Sequence, residues 1–151
     1  MTTKREAVLL AIEEAFRSPA TAPTNGTVWG RVLSSEWLGR ATEAKTVLSV
    51  LEQVETYTET ISPDKLDRDL DIELRCRTYI PTSENTRTGC NDVLGDMEEV
   101  VAANRHWTGL AINTSFLSNT IERTDTGDRV CEISLFIRVK YRSSRANPSV
   151  L

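Results

Sequence analysis

Arg129-Val130-Cys131-Glu132-Ile133-Ser134-Leu135-Phe136-Ile137-Arg138-Val139-Lys140-Tyr141 is the stretch that decides the fold. Cys131, Ile133, Leu135, Ile137, Val139 and Tyr141 alternate with Glu132, Ser134, Phe136, Arg138 and Lys140. Successive strand side chains point to opposite faces, so this alternation predicts a half-buried strand. At about 3.3 Å per residue it spans roughly 40 Å, longer than most strands. Thr124-Asp125-Thr126-Gly127-Asp128, just before it, reads as a tight connection, which makes Leu110 to Arg123 an antiparallel partner. Leu110, Ile112 and Phe116 place apolar groups on even positions, but Leu117 and Ile121 place them on odd ones. A β-bulge near Phe116 and Leu117 would produce that change of face. Such a hairpin can outgrow a small domain and offer its surplus to a neighbour.

Upstream, Thr3 to Phe16 reads as a helix with Thr3 and Glu6 as a capping box and Val8, Leu9, Ile12, Ala15 and Phe16 at helical spacing. Lys4, Arg5, Glu13 and Glu14 are expected on its wet face. Arg17 to Asn25 is a loop, and Thr27 to Leu33 a short strand with a bulge or close approach at Gly30. Ser34 to Lys45 is polar around Trp37 and Leu38, an apolar pair that serves either as a clip onto the core or as a docking tip. Thr46 to Ile61 reads as strand, with helix open as an alternative between Val47 and Val54. Leu70, Ile72, Leu74 and Cys76 against Asp71, Glu73, Arg75 and Arg77 form a second alternating strand, ended by Pro81. A second helix starts at Cys90 or Asn91, with Val93, Leu94, Met97, Val100 and Val101 inward and Asp92, Asp96, Glu98 and Glu99 outward. The expected fold class is α+β: a mostly antiparallel sheet with two main helices packed on one face and a long C-terminal hairpin. Residues 1–142 form one domain and 143–151 a tail.

Composition narrows the function. The 151 residues carry a net charge of -4, which argues against a protein whose main work is gripping nucleic acid. Cys76, Cys90 and Cys131 are widely spaced thiols that suit neither a disulfide framework nor a zinc site, and a reducing cytoplasm is the simplest setting. No apolar run approaches the ~20 residues needed to span a bilayer. His106, the only histidine, sits where a second-helix terminus would accept a donor, with no neighbouring Ser or Cys motif to complete a relay. The glycines form no phosphate cradle. Asp64, Asp67, Asp69 and Asp71 lack the glycine and bidentate glutamate of a calcium loop, and read as a solvated charge run. Cys76 and Cys131 fall on inward strand faces as small hydrophobes. No catalytic, metal or cofactor site is expected.

What remains is charge segregation. Arg138, Lys140 and Arg142 lie on one face of the last strand, while the second helix offers Asp92, Asp96 and Glu99. Charged strand residues can simply guard a sheet against aggregation. Alternatively, the basic strand of one copy meets the acidic helix of the next, a contact that closes a ring when the rotation closes.

The element order, with strands like Thr46-Val47-Leu48-Ser49-Val50 and Asp71-Ile72-Glu73-Leu74-Arg75-Cys76, and an ending Ile137-Arg138-Val139-Lys140-Tyr141-Arg142, resembles the tail terminator proteins of long-tailed phages, the lambda-type minor tail protein U family. The resemblance covers about Glu6 to Arg142. It departs from the family in lacking a proline before Val47, which leaves the strand boundaries between Leu33 and Val50 open. It implies a non-enzymatic virion protein, assembled in the bacterial host cytoplasm and located at the tail-neck junction. Such proteins form a hexameric ring that caps the tail tube, stops its polymerisation and docks the head-tail connector protein, while DNA passes through the lumen without specific binding. Trp37, Leu38, Asp92, Asp96, Glu99, Arg138, Lys140 and Arg142 are then the candidate contacts with other subunits, the tail tube protein or the connector. A head-tail joining protein, a tail tube subunit, and a small-molecule-binding regulatory module are the competing readings.

Overall fold

The computed structural model describes residues 3–34, 46–60, 62–81, 85–123 and 129–144. Its elements run α1 (Lys4–Arg17), β1 (Arg31–Ser34), β2 (Val47–Glu59), β3 (Lys65–Tyr79), α2 (Thr86–Ala103), β4 (Asn113–Arg123) and β5 (Val130–Ser144). The five strands form one sheet in the order β1-β2-β3-β5-β4. Only β1 and β2 run parallel; the other three pairings are antiparallel. The fold is therefore α+β, as the alternating stretches imply.

Strand alternation sets the core. Cys131, Ile133, Leu135, Ile137, Val139 and Tyr141 of β5 and Leu70, Ile72, Leu74 and Cys76 of β3 are all buried. The paired register sets Ile137 beside Ile72 and Leu135 beside Leu74, so both strands turn the same face inward. Val8, Ile12 and Phe16 of α1 and Val93, Leu94, Met97, Val100 and Val101 of α2 join that cluster. Two contacts place both helices on this face. Arg5 of α1 reaches Glu55, which Tyr141 of β5 also touches, and Cys90 of α2 is bonded to Cys131 of β5.

Several boundaries move, each for a local reason. On α1, Thr3 accepts from the Glu6 N–H as expected, but Lys4 and Glu13 are buried instead of wet. Lys4 lies one turn before Val8 on the row that continues through Ile12 and Phe16, and Glu13 lies three residues from Phe16, so the packed stripe carries both inward. β1 begins at Arg31, not Thr27, because the Thr27 N–H is taken by Asp96 and sheet pairing starts only where Gly30 donates to the Thr46 carbonyl. β2 is a single strand with a bulge between Glu52 and Glu55, which removes the helical alternative. β3 extends well beyond Leu70 and Cys76 because it is paired on both sides along its length. α2 starts earlier than Cys90: the Asn85 side chain accepts from the N–H groups of Arg87 and Thr88 and caps it. β5 continues to Ser144, past the expected boundary at Arg142.

The hairpin keeps its expected pairing, and a register shift falls between Phe116 and Ser118, where the change of face locates a bulge. Thr124 to Asp128 lie outside the described residues. β4 starts at Asn113, later than Leu110, because Trp107, Thr108 and Gly109 all take positive φ and wind the chain away from extended geometry. Trp107 is buried there and its indole N–H donates to Thr114 at 2.8 Å. Ile112, just before β4, and Phe116 and Leu117 on it, all expected inward, are exposed, because β4 is the outermost strand and is flanked by β5 alone among the described strands.

The cysteines require a correction. Cys90 and Cys131 form a disulfide, with Cα atoms 6.2 Å apart at a sequence separation of 41. Packing of α2 on β5 creates that proximity, so spacing along the chain does not reveal it. With two thiols paired, cysteine usage no longer points to a reducing compartment. Cys76 remains free and buried, and burial pushes its thiol up to about 12.

Candidate interaction surface

The sheet face away from the helices carries a ladder of opposite charges. Register sets Asp67 across from Arg142, Asp69 from Lys140, Asp71 from Arg138 and Arg77 from Glu132. Arg142 grips Asp67 through Nε at 2.7 Å and Nη2 at 3.2 Å. Lys140 approaches Asp69 at 4.0 Å, and Arg77 approaches Glu132 at 3.5 Å. The Arg142 hydrogen bond holds the Asp67 carboxyl below the usual carboxylate range. Between the two ends Glu73 is buried, accepting from Arg75 at 2.7 Å and from the Ser134 hydroxyl at 2.8 Å. The ladder thus reverses sign along its length: acids on β3 face bases on β5 at one end, and a base on β3 faces an acid on β5 at the other.

This arrangement corrects the reading of the aspartates as a solvated run. Asp67, Asp69 and Asp71 are the partners of the bases on β5. Cross-strand pairs of opposite charge favour the paired register, while like charges directly opposite oppose it. Arg138, Lys140 and Arg142 therefore meet acids within their own subunit, and the helix acids have work of their own.

Asp96, expected on the outer face of α2, has 0% exposure. Its carboxylate accepts from the backbone N–H groups of Asn25 and Thr27, both at 3.0 Å, from the Asn25 side chain at 3.1 Å and from the Thr27 hydroxyl. Gly26, at φ 73°, makes the intervening turn that aims both N–H groups at one carboxylate. One turn further along α2, Glu99 accepts from the Thr24 N–H at 3.0 Å and its hydroxyl at 2.7 Å. Asp92 contributes its backbone carbonyl to Asn25. The helix thus holds the loop between α1 and β1, which explains why its acids sit there. Trp37 and Leu38 lie outside the described residues.

A second cluster carried no sequence signal. Glu55 looks like one of several polar residues on β2, yet its side chain is 4% exposed. It accepts from Arg5 at 2.8 Å, from Arg68 at 2.9 Å and from the Tyr141 hydroxyl at 3.1 and 3.2 Å. Four elements meet at this carboxylate. Burial, followed by the neighbouring negative charge of Glu55, raises the Tyr141 phenol above its ordinary value.

His106 is exposed; its Nδ1–H donates to the Ile112 carbonyl at 3.0 Å rather than to the end of α2. The helix ends earlier, at Ala103, and Asn104 serves as its cap, with its side-chain amide donating to Val100 at 2.8 Å. Among the described residues no three His, Cys, Asp or Glu side chains are grouped to hold a metal ion. No helix among them is long and apolar enough to cross a membrane.

The edges of the sheet are a further feature that sequence periodicity does not weigh. On β4, Phe116 and Leu117 are 48% and 44% exposed. On β2, beyond the four residues paired with β1, Val54 and Tyr57 are each 61% exposed.

No protein-family model matches the sequence, and no curated protein matches it. Among solved structures, the chain is similar to one in the virion of the native gene transfer agent particle, at a TM-score of 0.50 and 13% identity. The match covers 95% of this chain and 100% of that one. At such identity the similarity is one of fold, and it extends over essentially the whole of both chains.

Proposed function

We propose that this chain is a structural protein of a phage-like virion, a tail-terminator-type subunit that forms a hexameric ring. In that role it caps the tail tube, stops polymerisation and offers the docking surface for the head-tail connector, without catalytic activity. The observation that carries the reading is the end-to-end fold similarity to a chain of the gene transfer agent virion. The resemblance in element order and in the Tyr141-Arg142 ending supports the narrower assignment. A sheet that exposes Phe116 and Leu117 on one outer strand and Val54 and Tyr57 beyond β1 on its other side suits a subunit built to contact copies and neighbours.

The test is tube length. Added to polymerising tube protein of its own particle, the chain should shorten the tubes and leave a ring at one end in electron micrographs. Long tubes formed by the chain unaided would instead favour a tube subunit. Tubes of unchanged length with bare ends would remove the terminator assignment.

A further inference from the structure

We infer that copies of this chain join through their sheets, the outer edge of β4 in one copy pairing antiparallel with Leu51–Thr58 of β2 in the next. The inference rests on the ring reading and deepens it by naming the surfaces that meet. β4 is hydrogen-bonded only to β5, and no other described strand lies along its far edge from Asn113 to Arg123. That edge has no Lys, Arg, Asp, Glu or Pro from Asn113 to Ile121, and it exposes Phe116 and Leu117. Strand edges are normally defended by charges or proline. Its bulge is its only device of that kind.

The opposite side of the same sheet offers a match. β1 covers β2 only from Val47 to Val50, and no described strand pairs with the outer edge from Leu51 to Thr58. Val54 and Tyr57 are exposed there. Glu52 and Glu55, the acids in this stretch, are both bonded to Arg5, so no unpaired charge is brought against the neutral β4 edge. At about 3.3 Å per residue the β2 stretch is ~26 Å long and β4 is ~36 Å, enough for the shorter edge to be covered completely.

Strand direction selects a second copy as the occupant. Successive antiparallel pairings make β2 and β5 run one way and β3 and β4 the other. Repeating the sheet from copy to copy therefore sets β4 antiparallel to β2, the commoner and slightly more stable pairing. Each copy would give one edge and receive the other, the heterologous contact that generates rings. Pairing β4 with β4 would close a dimer and leave the β2 edge unused.

Two edge variants test this. Leu117→Lys with Asn119→Lys blocks β4, and Val54→Lys with Thr56→Lys blocks β2. In light scattering, wild type should form the oligomer and each variant should stay monomeric with an unchanged circular dichroism spectrum. An equimolar mixture of the variants should yield dimers, because one intact edge of each kind survives. Where a double variant unfolds, the single Leu117→Lys or Val54→Lys change replaces it. Assembly of either variant like wild type, or a mixture that stays monomeric, overturns the inference while leaving the ring reading intact. A wild-type chain that is monomeric at millimolar concentration also overturns it, and bare tube ends in the capping assay would then remove the ring reading separately.

Discussion

Arg138 on β5 grips Asp71 on β3 through two parallel hydrogen bonds, Nε to Oδ1 at 2.7 Å and Nη2 to Oδ2 at 3.1 Å. The bidentate pair sets both side chains in one plane on the open face, and it turns what looks like a free basic strand into half of an internal ladder. Replacing Arg138 and Lys140 by Glu places acids against Asp71 and Asp69. The melting temperature should fall, more at low salt than at high salt, because like charges across a strand pair repel and salt screens them. Adding Asp71→Arg and Asp69→Lys should restore it. Thermal melts at two salt concentrations check both outcomes.

Asp96 is the anchor of the loop between α1 and β1. Asp96→Ala strands two backbone N–H groups in a buried position and should destabilise the protein by about 3 kcal/mol. Urea unfolding measures the loss, and amide exchange at Asn25 and Thr27 should accelerate. Glu99→Ala, at an exposed contact with Thr24, should have the smaller effect of the two.

Glu55 ties α1, β2, β3 and β5 together through Arg5, Arg68 and Tyr141. Removing Glu55 takes the acceptor from Arg68 and the Tyr141 hydroxyl while Arg5 keeps Glu52, so Glu55→Ala should cost about 2–3 kcal/mol. Tyr141→Phe, which removes a single hydroxyl, should cost about 1 kcal/mol. Denaturant titration of the two variants separates them.

Alkaline stability should be set by Cys76 and Tyr141. Burial raises both above their ordinary values, Cys76 to about 12. The folded state then keeps protons that the unfolded chain releases, so the unfolded state binds fewer protons and stability falls as pH rises. Stability is fully present below the unfolded values and declines from about pH 8, as an unfolded cysteine ionises around its ordinary value near 8.5. Melting temperatures between pH 7 and 11 should show the decline, and Cys76→Ala should delay its onset towards the tyrosine range.

The Cys90–Cys131 disulfide closes a loop at a sequence separation of 41. A loop of that size should contribute about 4 kcal/mol in the chain-entropy view. Reduction with dithiothreitol should therefore lower the melting temperature. Thiol titration in denaturant without reductant should find one reactive cysteine, and three after reduction.

Much of the fold was legible because burial imposes a period. The alternation in β3 and β5 and the apolar stripe of α2 are written directly in residue order, and even the bulge at Phe116 and Leu117 follows from a switch of parity. The candidate site was far less legible. Arg138, Lys140 and Arg142 are recognisable as a basic strand face, but their partners on β3 are 67 to 75 residues away and only register brings them opposite. Asp96 looks like one more acid on a wet helix face, since nothing local shows that a Gly26 turn will present two N–H groups to it.

The sequence by itself determined the apolar core faces of β3, β5 and both helices, the α+β class with a mostly antiparallel sheet, and the resemblance that suggested a ring. Only the tertiary structure decided what the charged residues do: strand order and register pair β3 with β5, loop docking consumes Asp96 and Glu99, and helix packing joins Cys90 to Cys131. The physical reason is range. Hydrophobic periodicity is a property of neighbours along the chain, whereas an ion pair, a buried carboxylate or an open strand edge depends on which distant segment lies beside it.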